Sequence, residues 1–213
     1  MSAAAAIAIA YLLGSIPFAY LAGMSRGIDL RTVGSGNLGA ANVFRALGTR
    51  MGVAVMAADI GKGVVAVLVA RAIADDPWPA VAAGAAMAGH VFPVWLRFKG
   101  GKGVAVGGGA VIGLMPLAAA ILLGLWFVVL LATRYSSLAS ITGAAAATPL
   151  VWSLGYDVAS VVFTGIAAAA VLALHRANIG RLLRGEENRI VLRRRPGAAS
   201  GGSEATPPGG PSG

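Results

Sequence analysis

Long apolar runs recur along this chain, and the polar residues between them gather in three short clusters. Residues 3–23 are apolar except Ser15, with a kink expected at Pro17. They are long enough to cross the ~30 Å hydrocarbon core of a bilayer. Residues 51–73 form a second run, and residues 80–96 a third, shorter and richer in Ala and Gly, a composition that favours close helix packing. The run 104–132 is interrupted only by glycines and Pro116. As one helix it would be about 43 Å long, well beyond the hydrocarbon core. Proline breaks a helix by removing an N–H and crowding the preceding turn, so two helices are expected, about 104–115 and 117–132. Residues 138–154 and 158–174 follow, separated by a turn at Gly155-Tyr156-Asp157.

Composition agrees with that pattern. Of 213 residues, 57% are hydrophobic and 12% charged, with mean hydropathy +0.79. A soluble domain carries roughly 25% charged residues. The expectation is an all-α polytopic membrane protein with one membrane domain, residues 1–192. Residues 193–213 are a basic and then Gly/Pro-rich tail, expected to be disordered from Pro196 onward. The absence of cysteine excludes disulfides, thiolate nucleophiles and Cys-based metal sites. Residues 1–10 lack a basic n-region, so no cleavable signal is expected.

The net charge of +9 is informative through its placement. Arg26, Arg31, Arg45 and Arg50 follow the first run, Arg97, Lys99 and Lys102 follow the third, Arg134 stands alone, and the remaining basic residues run from Arg176 to Arg195. The opposite loops carry Asp75, Asp76 and Asp157, with Arg71 near that side. Because basic loops stay in the cytoplasm, all three clusters are expected there, with the N-terminus outside. That orientation needs an odd number of spans. Splitting 104–132 gives seven, so chain length and charge placement lead independently to the same count.

The clusters carry the candidate chemistry. In the first, Val33–Gly48, Gly34, Gly36 and Gly39 permit close backbone approach to a ligand. Ser35, Asn37 and Asn42 add hydrogen-bonding side chains, and Arg45 adds a fixed cation with a fork of donors. That inventory suits a phosphate. The G-x-G-x-x-G spelling at Gly34–Gly39 lacks the preceding strand that a dinucleotide site requires. In the second cluster, Lys99-Gly100-Gly101-Lys102-Gly103 forms a tight turn whose backbone N–H groups can line an anion site, and His90 stands upstream. The pattern is not a Walker loop. In the third, His175 and Asn178 stand three residues apart on one helix face, with Arg181 one turn further on.

Each feature also has a plainer reading. Basic residues at cytoplasmic helix ends set topology and meet anionic lipid, which accounts for Arg26, Arg50, Arg97, Arg134 and Arg193 to Arg195. A histidine in an apolar setting, as His90 is, serves structure more often than chemistry. Asp59 and Lys62 share a helix face inside a span, so they are either functional or mutually neutralising. Carboxylates are scarce on the basic face: Asp29, Glu186 and Glu187, with Asp59 inside the span. No metal site is expected.

Three motifs in order, Val33–Asn42, Gly89-His90-x-Phe92-Pro93 running to Phe98-Lys99-Gly100-Gly101-Lys102-Gly103-Val104, and His175-x-x-Asn178-Ile179 with Arg181-Leu182 and Gly185-x-Glu187, resemble those of the bacterial acyl-phosphate:glycerol-3-phosphate acyltransferases. The resemblance covers about residues 10–190. It implies a seven-span inner-membrane enzyme, with its active site on the cytoplasmic face, that moves a fatty acyl group from acyl phosphate to the 1-hydroxyl of sn-glycerol 3-phosphate. The products would be lysophosphatidate and phosphate, an entry step of phospholipid synthesis. Ala41 departs from the family's usual Thr, so a hydroxyl there is dispensable or minor. The His-x-x-x-x-Asp dyad of soluble-donor acyltransferases is absent, since Trp95 and Gly180 occupy its fifth position after the two histidines.

The resemblance implies a catalytic set of Ser35, Arg45, Lys102, His175 and Asn178. Substrate-binding positions would be Gly36, Asn37, Gly39, Asn42, His90, Lys99, Gly100, Gly101, Gly103 and Arg181. The expected partners are acyl phosphate, glycerol 3-phosphate and membrane lipid, with no cofactor and no nucleic acid, and a monomer is favoured. A transporter for phosphate-bearing anions is the competing class, but it would call for broken helices at the midplane and inverted repeats. A non-catalytic lipid-binding protein would have no use for Ser35, Asn42 and the KGGK turn.

Overall fold

The computed structural model describes residues 2–190, so the tail and the 192/193 domain boundary lie outside the described residues. The helices are α1 (Ala3–Ser15), α2 (Phe18–Met24), α3 (Ala40–Leu47), α4 (Thr49–Ile73), α5 (Trp78–Val91), α6 (Val104–Leu114), α7 (Pro116–Thr133), α8 (Ser136–Ser153), α9 (Val158–Leu174) and α10 (Arg176–Leu183), with a single 3-10 turn at Val94–Leu96. Four stretches are long and apolar enough to cross a membrane: Ala3–Met24 taken across its break, Thr49–Ile73, Trp78–Leu96 and Pro116–Thr133. A fifth is reached if α9 and α10, bent by 57° at His175, count as one span.

Two breaks share one cause. A residue before proline is pushed out of the α region by the pyrrolidine ring. Ile16, before Pro17, is extended with ψ 117°, and Met115, before Pro116, has φ −143° and ψ 71°. The single kinked helix expected over 3–23 is therefore two helices, α1 and α2. The split expected at Pro116 occurs there. The third run is shorter than expected, since α5 ends at Val91 and only the 3-10 turn continues it.

The helix α6 has 11 residues and a length of roughly 16 Å, about half the hydrocarbon core. A helix this short exposes its end groups within the bilayer's depth unless protein satisfies them. It packs against α4, α5 and α7, which shelter it, and Arg71 Nη2 donates to the Leu114 carbonyl at 3.1 Å, where Pro116 has broken the helix.

Small residues bring the helices together. A Cβ on Gly109 would overlap the Ile60 carbonyl across the α4–α6 contact, and one on Gly14 would overlap Ala86 across α1–α5. Without water to expel between helices, such close approach supplies the packing attraction. An alanine-rich cluster of Ala6, Ala10, Ala66, Ala70, Ala82, Ala86 and Val106 fills the seam. By contrast α7 presents Leu117, Ile121, Leu123, Phe127, Val128 and Leu131 outward, as a lipid-facing surface requires. A second apolar cluster, with Ala19, Leu30, Leu38, Val43 and Val55, lies under the first polar loop and anchors it to the bundle.

Candidate active site

The loop before α3 is shaped by one amide. Asn42, 1% exposed, donates from Nδ2 to the carbonyls of Leu30 (3.1 Å) and Val33 (3.0 Å) and accepts the Ser35 N–H at Oδ1 (3.1 Å). Gly34 and Gly36 have φ of 63° and 68°, in the left-handed region that side chains disfavour, and a Cβ at Gly34 would collide with Asn42 Oδ1. Asn42, expected to touch substrate, therefore has its donors committed to holding the loop. What the loop presents is Ser35, exposed, whose Oγ accepts from Arg45 Nη2 at 3.3 Å. Arg45 has no carboxylate partner among the described residues. It keeps solvent access yet lies in a dense neighbourhood, and burial pulls its pKa below the ordinary value, with Glu187 opposing and Arg181 reinforcing.

The second cluster meets the third directly. Lys102, in the turn leading into α6, donates from Nζ to Asn178 Oδ1 on α10. Asn178 is turned toward Lys102 by its other end, since Nδ2 donates to Glu187 Oε1 at 2.6 Å. The same carboxylate accepts Ser137 Oγ at 2.8 Å and pairs with Arg181 Nε at 2.7 Å. Burial raises the Glu187 pKa, but the bonds from Asn178, Ser137 and Arg181 outweigh it, leaving the carboxylate below its usual range. Burial lowers Lys102 to about 8; Glu187 opposes the shift, and Arg181 and Arg45 add to it.

The remaining catalytic candidate, His175, sits at the 57° corner between α9 and α10 and is 4% exposed. It contacts the carbonyl of Val171 through Nδ1 at 2.8 Å. A carbonyl can only accept, so Nδ1 carries the proton and Nε2 is the free lone pair. Burial, with the Lys102 charge beside it, brings the His175 pKa down to about 4, against the opposing influence of the Val171 hydrogen bond and Glu187. The imidazole is neutral at pH 7: a good acceptor that orients a hydroxyl, and a weak base.

The structure thus gathers Ser35, Arg45, Lys102, His175 and Asn178 from segments far apart in the chain. Gly36, Asn37 and Gly39 lie on the Asn42-held loop, and Gly100, Gly101 and Gly103 form the turn that carries Lys102. Lys99 is exposed at the turn's outer edge. Two further expectations change. Arg181 has its Nε taken by Glu187, which leaves its Nη groups for any ligand. His90, expected at the substrate, lies behind the turn in a buried cluster with Lys62 and Asp59. The residues not anticipated as site members are Glu187 and Ser137. Glu187 was visible as the last letter of Gly185-x-Glu187, whereas Ser137 carried no signal beyond its place in a polar connection.

Fold and site together define a helical membrane protein in which Arg45, Lys102, Ser35 and His175 gather at one place. Residues 4–185 match the profile of the family described as glycerol-3-phosphate acyltransferase. A glycerol-3-phosphate acyltransferase of Rubrobacter xylanophilus is 45% identical over 198 residues, 92% of this chain and 96% of its own length. One of Geotalea daltonii is 47% identical over 180 residues, 84% of this chain and 93% of its own. Two crystal forms of PlsY, an integral membrane glycerol 3-phosphate acyltransferase, superpose at 40% and 39% identity, each covering 90% of this chain and 96% of the other. The glycerol 3-phosphate form gives a TM-score of 0.86 and the lysophosphatidic acid form 0.83. The chain belongs to the glycerol-3-phosphate acyltransferase family.

Proposed function

We propose that this protein transfers a fatty acyl group from acyl phosphate to the 1-hydroxyl of sn-glycerol 3-phosphate, releasing lysophosphatidate and phosphate. The observation that carries the reading is a pair of cations without carboxylate partners among the described residues, Arg45 and Lys102, beside Ser35 and the neutral His175. Arg45 and Ser35 hold one substrate phosphate, and Lys102 with the backbone of the KGGK turn holds the other. The glycerol hydroxyl rests against His175 Nε2 and Asn178. Its oxygen attacks the acyl carbonyl carbon, the carbon–oxygen bond to phosphate breaks, and phosphate leaves with the electron pair. Lys102 stabilises the charge that develops.

The hydroxyl proton goes to a substrate phosphate oxygen. A phosphate monoester has its second pKa near 6, so at pH 7 it is a better proton acceptor than an imidazole lowered to about 4. His175 acts by aligning the hydroxyl. Because the donor is an activated anhydride, positioning supplies much of the rate.

The chain crosses the bacterial inner membrane seven times, with its N-terminus outside and the site on the cytoplasmic face. The supporting facts are the charge bias of the loops and the break at Pro116.

The test is purified protein in nanodiscs with acyl phosphate and glycerol 3-phosphate, following phosphate and lysophosphatidate together. Release that requires both substrates is expected. Lys102→Ala should lose about 100-fold in kcat/KM, about 2.7 kcal/mol of transition-state stabilisation. Phosphate movement across liposomes without acyl transfer would replace the enzyme reading with a transporter.

A further inference from the structure

Behind the KGGK turn lies a set of ionisable groups that the reaction does not use. Asp59 and Lys62 on α4 are 1% and 5% exposed, and His90, at the end of α5, is 9% exposed. Lys62 Nζ donates to the Ile16 carbonyl at 2.8 Å and to His90 Nδ1 at 3.0 Å. It also lies 2.9 Å from Asp59 Oδ1, as an ion pair off the line of a hydrogen bond. The three partners come from three places: the α1–α2 break, α4 itself, and the helix that ends just before the turn.

The contact fixes the state of the histidine. An ammonium has only donors, so His90 Nδ1 must accept and the ring proton sits on Nε2. The charges balance within the cluster: one ammonium, one carboxylate and a neutral imidazole.

His90 in turn is the seat of the turn. Its carbonyl accepts the Gly101 N–H at 3.1 Å, and the neighbouring Val91 carbonyl accepts the Gly100 N–H at 3.0 Å. Gly101 abuts the ring at Nε2 and Cε1. A Cβ there would overlap His90 Nε2, and the Leu38 carbonyl of the first loop is 2.8 Å from the same point. The α1–α2 break, Leu38, His90, Gly100 and Gly101 line one partly open crevice with room for about 10 Å³. The residue after Gly101 is Lys102.

We infer that Lys62, balanced by Asp59, is a positioning residue for phosphate binding. It locks the His90 ring, against which the Gly100–Gly101 backbone is seated, and so sets where Lys102 stands relative to Asn178. The carbonyl of Ile16 ties the same ammonium to the break between the first two helices, so one buried cation registers both the N-terminal helix pair and the turn. This inference rests on the reading of the KGGK turn as a phosphate holder.

Removing Lys62 alone would strand a buried carboxylate, so the informative variant neutralises both members, Asp59→Asn with Lys62→Met. It should retain an unfolding midpoint within a few degrees of the parent. Its kcat/KM should fall at least tenfold per mole of folded protein. Most of the fall should appear as a raised KM for the phosphate-bearing substrates and weaker inhibition by inorganic phosphate, with kcat less affected. Lys62→Arg, which keeps a buried cation with donors, should recover most of the loss. His90→Leu, which removes the ring contact while leaving the ion pair, should reproduce the KM effect.

A folded double variant within twofold of the parent in KM and phosphate inhibition overturns the inference. So does failure of both the double variant and His90→Leu to fold, because the cluster then serves the fold and not the turn. Lys102→Ala in the same assay separates the two levels. If it keeps full activity, the phosphate-holding reading fails. If it is inactive while the Asp59/Lys62 variant is normal, only the positioning role fails.

Discussion

Glu187 shows how one residue can set the character of a site it does not need to enter. Its carboxylate orders Asn178, Ser137 and Arg181 at once, and its charge is the main influence holding Lys102 up against burial. Glu187→Gln keeps an oxygen for Asn178 and Ser137 but removes the charge. The Lys102 pKa should then drop below its present value of about 8. In the parent, kcat/KM should rise up to about pH 7 as the substrate phosphate, with its second pKa near 6, becomes dianionic, and decline above about pH 8 as the Lys102 ammonium is lost. In Glu187→Gln the decline should begin at lower pH. Stability runs the other way. An unfolded lysine titrates near 10.4, so between about pH 8 and 10 the unfolded chain binds more protons, and this group's contribution favours folding as pH rises. A pH–rate profile beside a pH–melting profile checks both signs. His175 should add no inflection between pH 5 and 8.

Residue types announced this centre better than residue roles. Ser35, Arg45, Lys102, His175 and Asn178 could be singled out as candidates because polar clusters between apolar runs are unusual and three of them in order resemble known motifs. Asn42 and His90 looked equally chemical in one dimension. Only the fold shows that Asn42 spends its amide on the carbonyls of Leu30 and Val33, and that His90 faces Lys62, which is 28 residues away in the chain. Pairings at that separation leave no periodic trace in a sequence.

At the scale of elements, close helix contact is the vulnerable property. Gly109 sits against the Ile60 carbonyl, so Gly109→Leu should push α6 off α4 and lower the unfolding midpoint by well over 5 °C in detergent. Gly124, on lipid-facing α7, meets nothing within 4 Å, and Gly124→Leu should leave the midpoint almost unchanged. Boundaries set by proline were legible in advance at Pro116, since the ring acts locally on the residue before it. The full break at Pro17 was underestimated as a kink. Proline fixes the loss of a hydrogen bond, but how far the chain then turns depends on what packs beside it, here Lys62 taking up the Ile16 carbonyl.

At the scale of the whole molecule, the charge bias of the loops supports a topology that the missing cysteines make simple to test. With no native thiol, a cysteine placed at Asp76 should react with a membrane-impermeant maleimide from outside intact cells. One at Arg184 should react only after permeabilisation. Labelling of both from the same side would require an even number of crossings between them. The short α6 is where the count is most exposed to error, because length alone assigns it to half a bilayer, and its polar end is satisfied by Arg71.

The order in which the site is assembled along the chain carries a consequence for synthesis. Ser35 and Arg45 emerge first and Lys102 midway, but the carboxylate that orders Asn178 and Arg181 is among the last described residues to be made. A nascent chain already threaded into the bilayer through α8 has both cations in place but lacks Asn178 and Glu187, which Lys102 faces in the finished site. If the proposed site is the active one, activity should appear only once the α9–α10 corner has formed and Glu187 is paired with Asn178 and Arg181. Chains stopped at residue 174 should insert and remain silent. Chains stopped at residue 190 should recover most of the activity, a boundary that a set of stop codons would locate within sixteen residues.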